Sequence, residues 1–160
     1  MCIRDSRNRV IVRANGDRTR WDADDVNRLV ICGLDGADDI RRGGAHSSAP
    51  AFIDGGSGRD FLRGGDGPDT IHGGNGRDTL RGGRGHDELH GDGGNDRIRG
   101  QQGHDLIDGG DGNDRLYGGV GADIISGGQG VDRVRGNAGA DLLIGAQIEI
   151  QSTVGWAATF

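Results

Sequence analysis

A nine-residue unit repeats ten times without interruption between residues 55 and 144. Its sixth position is always aspartate: Asp60, Asp69, Asp78, Asp87, Asp96, Asp105, Asp114, Asp123, Asp132 and Asp141. Its fourth position is always glycine: Gly58, Gly67, Gly76, Gly85, Gly94, Gly103, Gly112, Gly121, Gly130 and Gly139. Its eighth position is always aliphatic: Leu62, Ile71, Leu80, Leu89, Ile98, Ile107, Leu116, Ile125, Val134 and Leu143. A unit this short cannot bury its own apolar side chain, so the pattern predicts a stack of repeats, that is, a solenoid.

The unit divides physically into a turn and a strand. Position one is glycine in all ten units, and position two is glycine in all but three, which carry Asp92, Gln101 and Asn137. Glycines reach positive φ and let the backbone approach an ion closely, so the first six positions are expected to form a turn. The last three positions form a short strand whose middle, aliphatic side chain points to one face.

Two units make one coil of 18 residues, so alternate strands stack into two parallel sheets about 4.8 Å apart along the stack. The odd-numbered units then place their aspartates on one edge, here called the odd edge: Asp60, Asp78, Asp96, Asp114 and Asp132. The even-numbered units form the even edge: Asp69, Asp87, Asp105, Asp123 and Asp141. Carboxylates about 5 Å apart repel by about 1 kcal/mol in water. A cation between them is expected, and oxygen-only ligands favour Ca²⁺ over Mg²⁺ or Zn²⁺.

The unit Gly-Gly-x-Gly-x-Asp-x-U-x, with U aliphatic, resembles the glycine-rich nonapeptide of the RTX, or haemolysin-type, calcium-binding repeats. The resemblance covers 90 of the 160 residues. It implies an all-β fold, a right-handed parallel β-roll of two sheets, with Ca²⁺ between consecutive turns on the same edge. We expect the ten aspartate side chains and the carbonyls of the ten position-four glycines to bind the ions. Five turns on each edge leave four gaps, so about eight ions are expected.

Composition makes the ion important for folding. The chain contains 35 glycines, and hydrophobic residues make up only 32% of it. One aliphatic side chain per repeat offsets little of the entropy lost on ordering a glycine-rich chain, so we predict a chain that is disordered without calcium and folded with it. Because a middle aspartate serves two gaps, Asp96→Ala should lose more calcium than Asp60→Ala. The alternatives are a disordered linker and an ion-free solenoid whose aspartates only cap turns.

The residues before the run are expected to form an irregular N-terminal cap, 7–54, and those after it, 145–160, a capping strand and a tail. Residues 1–6 resemble a translated sequencing adapter and are set aside, so we expect a fragment of a longer protein. In the cap we predict strands at Val10–Val12 and Leu29–Ile31, a hairpin turn at Asn15-Gly16, and one helical turn over Asp22–Asn27.

An eleventh, outlying repeat precedes the run. Gly33, Gly36, Asp38 and Ile40 match positions one, four, six and eight, four residues out of phase with the other units. We expect an insertion loop over Arg42–Asp54 to correct the phase, with its last three residues entering the stack as a strand that lacks its aspartate. Whether Asp38 binds calcium stays open.

Positions seven and nine point outward, and the two outer faces differ. The odd-numbered units form an arginine-rich face: Phe61, Thr79, Arg97, Arg115 and Arg133 in one row, and Arg63, Arg81, Arg99, Tyr117 and Arg135 in the other. This face could bind an acidic polysaccharide or lipopolysaccharide, with nucleic acid not expected, or it could be a solvated surface that keeps solenoids apart. The even-numbered units become apolar toward the C-terminus, at Leu106, Ile124 and Leu142, where we expect the C-terminal segment to pack.

The sequence shows no catalytic constellation, and we predict that this chain is not an enzyme. His86 and His90 do not stand in the zinc-protease order, Cys32 has no supporting context, and no Gly-x-Ser-x-Gly motif occurs. No apolar run is long enough to cross a membrane. Two function classes stay open: a structural or adhesive calcium-binding module of a secreted or cell-surface protein, and the accessory domain of a secreted hydrolase or toxin.

Overall fold

A computed structural model describes residues 3–4, 9–13, 18–22, 28–33, 35–43 and 48–145. The part before the repeats contains strands β1 (Ile3–Arg4), β2 (Arg9–Arg13), β3 (Arg18–Asp22), β4 (Arg28–Cys32), β5 (Asp39–Gly43) and β6 (Ala51–Asp54). The repeat run contains β7 (Ser57–Gly58), β8 (Phe61–Asp66), β9 (Thr70–His72), β10 (Asn75–Gly76), β11 (Thr79–Arg84), β12 (Glu88–His90), β13 (Gly93–Gly94), β14 (Arg97–Gln102), β15 (Leu106–Asp108), β16 (Arg115–Val120), β17 (Ile124–Ser126), β18 (Arg133–Ala138) and β19 (Leu142–Ile144). None of the described residues is helical.

The strands form two long sheets, as predicted for a parallel β-roll. One has seven strands in the order β18-β16-β14-β11-β8-β5-β3, and the other has nine in the order β1-β2-β4-β6-β9-β12-β15-β17-β19. Within the repeats every pairing is parallel and offset by 18 residues, as in Leu80 with Ile98 and Leu89 with Ile107. The chain therefore adds one strand to each long sheet per coil.

The core is a single file of aliphatic side chains between the two sheets. The position-eight residues from Leu62 to Val134 have no exposed surface, and Ile40 and Ile53 continue the file toward the N-terminus. Leu143, in the tenth unit, is only partly buried. The predicted core is thus confirmed for the first nine units.

The turns also pair with each other along the stack. The repeat predicted strands of only three residues per unit and did not predict this pairing of the turns. Strands of the odd-numbered units run six residues, through the first three positions of the next unit, as in β11. At the other edge the turns form a separate three-stranded sheet, β13-β10-β7. Identical turns lie one above the next at the strand spacing, so their backbone N–H and C=O groups bond to each other like those of the strands.

Two of the predictions for the cap are confirmed and one is wrong. Strands β2 and β4 cover the predicted Val10–Val12 and Leu29–Ile31. The hairpin is wrong, because the strands on either side of Asn15-Gly16, β2 and β3, lie in different sheets. The chain already winds as a coil here, and each of these two strands pairs in parallel with a later one. The predicted helical turn begins inside β3, at Asp22, and the rest of it lies outside the described residues.

The outlying repeat stacks on the first regular one. Asp39–Arg41 pair in parallel with Phe61–Arg63, and Gly36 donates its N–H to the carbonyl of Ser57 at 2.7 Å. Phe52–Asp54 pair with Thr70–His72, as predicted. The insertion is shorter than predicted, because Arg42 belongs to β5 and not to a loop.

Candidate metal centre

The two predicted aspartate edges exist, and each is a ladder of backbone-to-carboxylate hydrogen bonds. The N–H of Asp60 donates to Oδ1 of Asp78 at 2.7 Å, and the N–H of Asp78 donates to Oδ1 of Asp96 at 2.8 Å. The even edge repeats the arrangement, with Asp69 donating to Oδ1 of Asp87 at 2.9 Å. Every carboxylate is thus held by the coil before it, so one oxygen of each group has a defined position and partner.

The second oxygen of most of these carboxylates is buried and accepts no hydrogen bond. This holds for Oδ2 of eight aspartates: Asp60, Asp69, Asp78, Asp87, Asp96, Asp105, Asp114 and Asp123. A buried oxygen without a hydrogen-bond partner lowers the stability of the folded chain, and more so when the oxygen carries charge. A cation or a proton donor is therefore the partner that these eight buried oxygens require.

The glycine at position one keeps the space beside each of these oxygens open. A Cβ on Gly55 would lie 2.7 Å from Oδ2 of Asp60 and 2.5 Å from the carbonyl oxygen of Gly73, one coil further on. A carboxylate oxygen and a carbonyl oxygen therefore converge on a cradle that a methyl group would fill. Such hard oxygen donors are the ligands of Ca²⁺, so the residues present fit the ion.

The predicted carbonyl ligands, on the position-four glycines, also lie between consecutive coils. Gly76 has a φ of 151°, in the range that favours glycine. A Cβ on Gly76 would collide with the carbonyl oxygen of Gly58, and one on Gly94 with that of Gly76. These carbonyls thus point along the stack into the gap between turns.

In the described part of the chain, side chains alone do not form a metal site. Across the described residues, no group of three or more His, Cys, Asp or Glu side chains could hold an ion. His86 stacks on His104 with the ring centroids 5.0 Å apart, and His90 stacks on His72 at 4.5 Å, so these histidines form two separate pairs. An ion between the turns would need backbone carbonyls as well as carboxylates.

Burial shifts the titration of the edge carboxyls strongly. Desolvation raises the pKa to about 7 for three groups, Asp69, Asp87 and Asp96. It raises the pKa to about 6 for three more, Asp78, Asp114 and Asp123. Neighbouring carboxylates on the same edge add to the effect, as Asp69 and Asp105 do for the pKa of Asp87. The edges therefore hold negative charge poorly unless a cation accompanies it.

The odd edge continues beyond the regular repeats, through Asp38. Its side chain is buried, and its N–H donates to Oδ1 of Asp60 at 2.7 Å. Asp60 therefore has a neighbouring coil on both sides, and the number of calcium gaps that it serves stays a prediction. The aspartate at the C-terminal end of this edge is Asp132.

The even edge ends differently, at Arg42, which was predicted only as the first residue of the insertion loop. Its buried guanidinium donates to Oδ1 of Asp69 at 2.9 Å and to the carbonyl of Asp66 at 3.2 Å. Ala51 lies 18 residues before Asp69, at the place that an aspartate of the even edge would occupy one coil earlier. Its N–H also donates to Oδ1 of Asp69. Arg42 stands nine residues after Gly33, the first residue of the outlying repeat, and therefore at position one of the next unit. An arginine where the run always has glycine was the signal that could have revealed it.

Comparison with protein families agrees with this geometry. The model of the RTX calcium-binding nonapeptide repeat matches residues 54–89, 90–125 and 117–147, which together span more than half of the chain. No curated protein and no solved structure is significantly similar to the chain. No helix among the described residues is long and apolar enough to span a membrane. With its aspartate ladders and two-sheet parallel solenoid, the chain belongs to the family of RTX calcium-binding nonapeptide repeats, and calcium is its ligand.

Proposed function

We propose that calcium ions lie between consecutive turns on both edges, bound by Oδ2 of the aspartates and by carbonyls of the position-four glycines. The observation that carries this proposal is the set of eight buried Oδ2 atoms without a partner. The ten aspartates of the run leave four gaps on each edge, hence about eight sites, and Asp38 adds one gap to the odd edge. Bound calcium would neutralise the stacked carboxylates.

We further propose that calcium binding and folding are one event. Each of the first nine repeats buries one aliphatic side chain and one aspartate, and the aspartates repel each other unless a cation separates them. A cation that binds only the folded chain stabilises it by about 1.4 kcal/mol per site at ten times Kd. Several sites in series would therefore decide whether the chain folds.

Far-UV circular dichroism of the whole chain, with calcium and with chelator, tests this second proposal. At pH 8, we expect high β-content with calcium and a disordered spectrum without it. Equal β-content in both conditions would disprove calcium-dependent folding. Calorimetric titration tests the sites themselves, and binding of only one or two ions would contradict the ladder.

The coupling of folding to calcium binding indicates on which side of the cell membrane the chain functions. Extracellular modules commonly bind calcium with submillimolar or millimolar Kd, whereas cytosolic sensors bind it much more tightly. With sites of the weaker kind, the chain would stay unfolded inside a cell and fold outside. We therefore propose a structural or adhesive module of a secreted or cell-surface protein.

The alternative is the accessory domain of a secreted hydrolase or toxin. A fold made of calcium-binding repeats fits a non-catalytic module, so any catalytic groups would lie elsewhere in a longer protein. The full-length gene separates the two: a Gly-x-Ser-x-Gly or His-Glu-x-x-His motif upstream would favour the hydrolase, and further repeats or adhesion domains the structural module.

A further inference from the structure

We propose that residues at position five of the middle repeats prepare the adjoining gaps for calcium and make these gaps the tightest sites. They are Asn95 and Asn113 on the odd edge and His86 and His104 on the even edge. Position five lies between the glycine and the aspartate of each turn. The inference rests on the calcium sites proposed above, and it predicts that gaps with identical aspartates differ in affinity.

On the odd edge, the side chain at position five accepts a hydrogen bond from the backbone of the next coil. Oδ1 of Asn95 accepts from the N–H of Asn113 at 2.8 Å. Oδ1 of Asn113 accepts from the N–H of Val131, also at 2.8 Å. Three successive turns of this edge are thus joined by two exposed asparagines.

The even edge makes the same bonds with a different side chain. Nδ1 of His86 accepts from the N–H of His104 at 2.9 Å, and Nδ1 of His104 accepts from the N–H of Ala122 at 2.7 Å. Asparagine and histidine differ in shape and volume. The property that they share here is an acceptor atom that reaches the position-five N–H of the next coil.

These bonds run in the opposite direction to the aspartate ladder beside them. The N–H of Asp96 donates to Oδ1 of Asp114 in the following coil at 2.7 Å, whereas the N–H of Asn113 donates to Asn95 in the preceding coil. The two turns of this gap are therefore held together in both directions, next to a proposed ion. Turns that are already ordered lose less conformational entropy when an ion binds, so the affinity is higher.

The first gap of the odd edge shows what happens where position five offers no acceptor. The residue there is Arg59, whose side chain has only donors. The N–H of Arg77, one coil further on, donates to the carbonyl oxygen of Gly58 at 3.3 Å. That carbonyl is one of the proposed calcium ligands, so the hydrogen bond competes with the ion for its lone pairs. An acceptor at position five takes the N–H away from the ligand carbonyl.

The eight gaps inside the run therefore divide into two classes. Four have an asparagine or histidine acceptor, and the other four have Arg59, Arg77, Pro68 and Ala122 at the same place. The first class should fill while the chain folds, and the second should fill afterwards, at higher calcium. Calorimetric calcium titration of the whole chain at pH 8, with circular dichroism at the same calcium concentrations, counts the ions in each class.

The first pair of variants changes a tight gap. Asn95→Ala removes the acceptor and should move one ion from the class that binds during folding to the class that binds after it. The matched control is Asn75→Ala, an exposed asparagine of the preceding turn on the same edge, and it should leave both classes unchanged. Asn95→His should also leave them unchanged, because His86 supplies the same acceptor on the even edge. Identical class sizes in all these variants would overturn the inference.

The second pair changes a weak gap, where the ion binds to a chain that is already folded. Arg59→Asn supplies an acceptor, and its control Arg59→Ala removes the same charge without supplying one. We expect a Kd about fivefold lower for one late-binding ion in the Asn variant than in the Ala variant, the value of one hydrogen bond. A hydrogen bond that only stabilises the fold would leave this Kd unchanged, and equal values in the two variants would overturn the inference.

The parent chain separates this inference from the calcium sites on which it rests. Calcium binding in a single class, with every ion bound by the time the β-content is constant, would overturn the unequal affinities and leave the sites in place. Absence of calcium binding by the parent chain would refute the proposed sites themselves.

Discussion

The odd edge and the even edge have the same aspartate spacing and different N-terminal ends. On the odd edge, Asp38 adds another carboxylate beyond Asp60. On the even edge, Arg42 places a guanidinium against Asp69, where a further coil would otherwise begin. A buried carboxylate ladder can thus end with another acidic group or with a cation built into the chain. At the even edge, the guanidinium of Arg42 forms a buried ion pair with the carboxylate of Asp69.

The largest expected effect acts on both edges at once and depends on pH. In the calcium-free fold, burial raises the pKa of Asp87 and Asp96 to about 7, well above the ordinary value of about 3.9. Protonation therefore stabilises this fold fully below about pH 4, and the stabilisation is lost as pH rises through about 7. In chelator, β-content measured by circular dichroism should fall between pH 5 and pH 8. A chelated chain that is more structured at pH 8 would contradict this.

The next largest effect concerns the built-in cation. Arg42→Met leaves the buried carboxylate of Asp69 without its charged partner, which typically costs about 3–5 kcal/mol. Denaturant unfolding at moderate calcium should show this loss, and excess calcium should recover part of it, because an ion can then neutralise Asp69.

The control for that change is the preceding residue. Arg41 has a side chain that is 56% exposed and pairs with Asp39 at the surface, so Arg41→Met should cost less than about 1 kcal/mol. Equal losses for the two variants would mean that Arg42 contributes no more than a surface ion pair.

A smaller difference separates the middle of the odd edge from its C-terminal end. Asp96→Asn keeps an oxygen to accept from the N–H of Asp78 and removes the charge shared by two gaps. Asp132→Asn affects only one gap inside the run. At calcium ten times Kd, we expect losses of about 3 and 1.4 kcal/mol respectively. Calcium titration and thermal unfolding measure both, and equal losses would argue against shared ions.

The smallest expected effect tests the outermost gap of the odd edge. Asp38→Asn should remove one ion from the stoichiometry and cost about 1.4 kcal/mol or less under the same conditions. Asp35→Asn is the matched control, since it removes the same charge from an exposed residue of the same segment. An unchanged ion count in the Asp38 variant would restrict calcium binding to the ten regular repeats.

Much of the fold follows from the repeat because its period specifies both the strands and their partners. An aliphatic residue at position eight of every unit predicted the buried file from Leu62 to Val134, and the structure confirms it. The hairpin at Asn15-Gly16 was wrong because a turn dipeptide indicates that the chain reverses and not which strand it pairs with next. In this cap the strands continue the winding of the coil.

For the candidate site, the sequence predicted which aspartates share an edge but not the surroundings of their oxygen atoms. The sequence places Asp60 and Asp78 on one edge because 18 residues separate them, and no knowledge of the structure is needed for that. It could not show that Oδ1 is held by the preceding coil while Oδ2 is left buried, since this depends on the rotamer and on the neighbouring backbone.

By itself, the sequence determined the solenoid, the aliphatic core, the two carboxylate edges and the calcium-binding family, because a strict period imposes the same local structure on every unit. The tertiary structure alone decided how the ladders end and which charges lack a partner. Arg42 reaches Asp69 across 27 residues, and Arg81 lies among arginines from several coils. Such contacts arise between coils, where stacking brings distant residues together at the spacing of one strand.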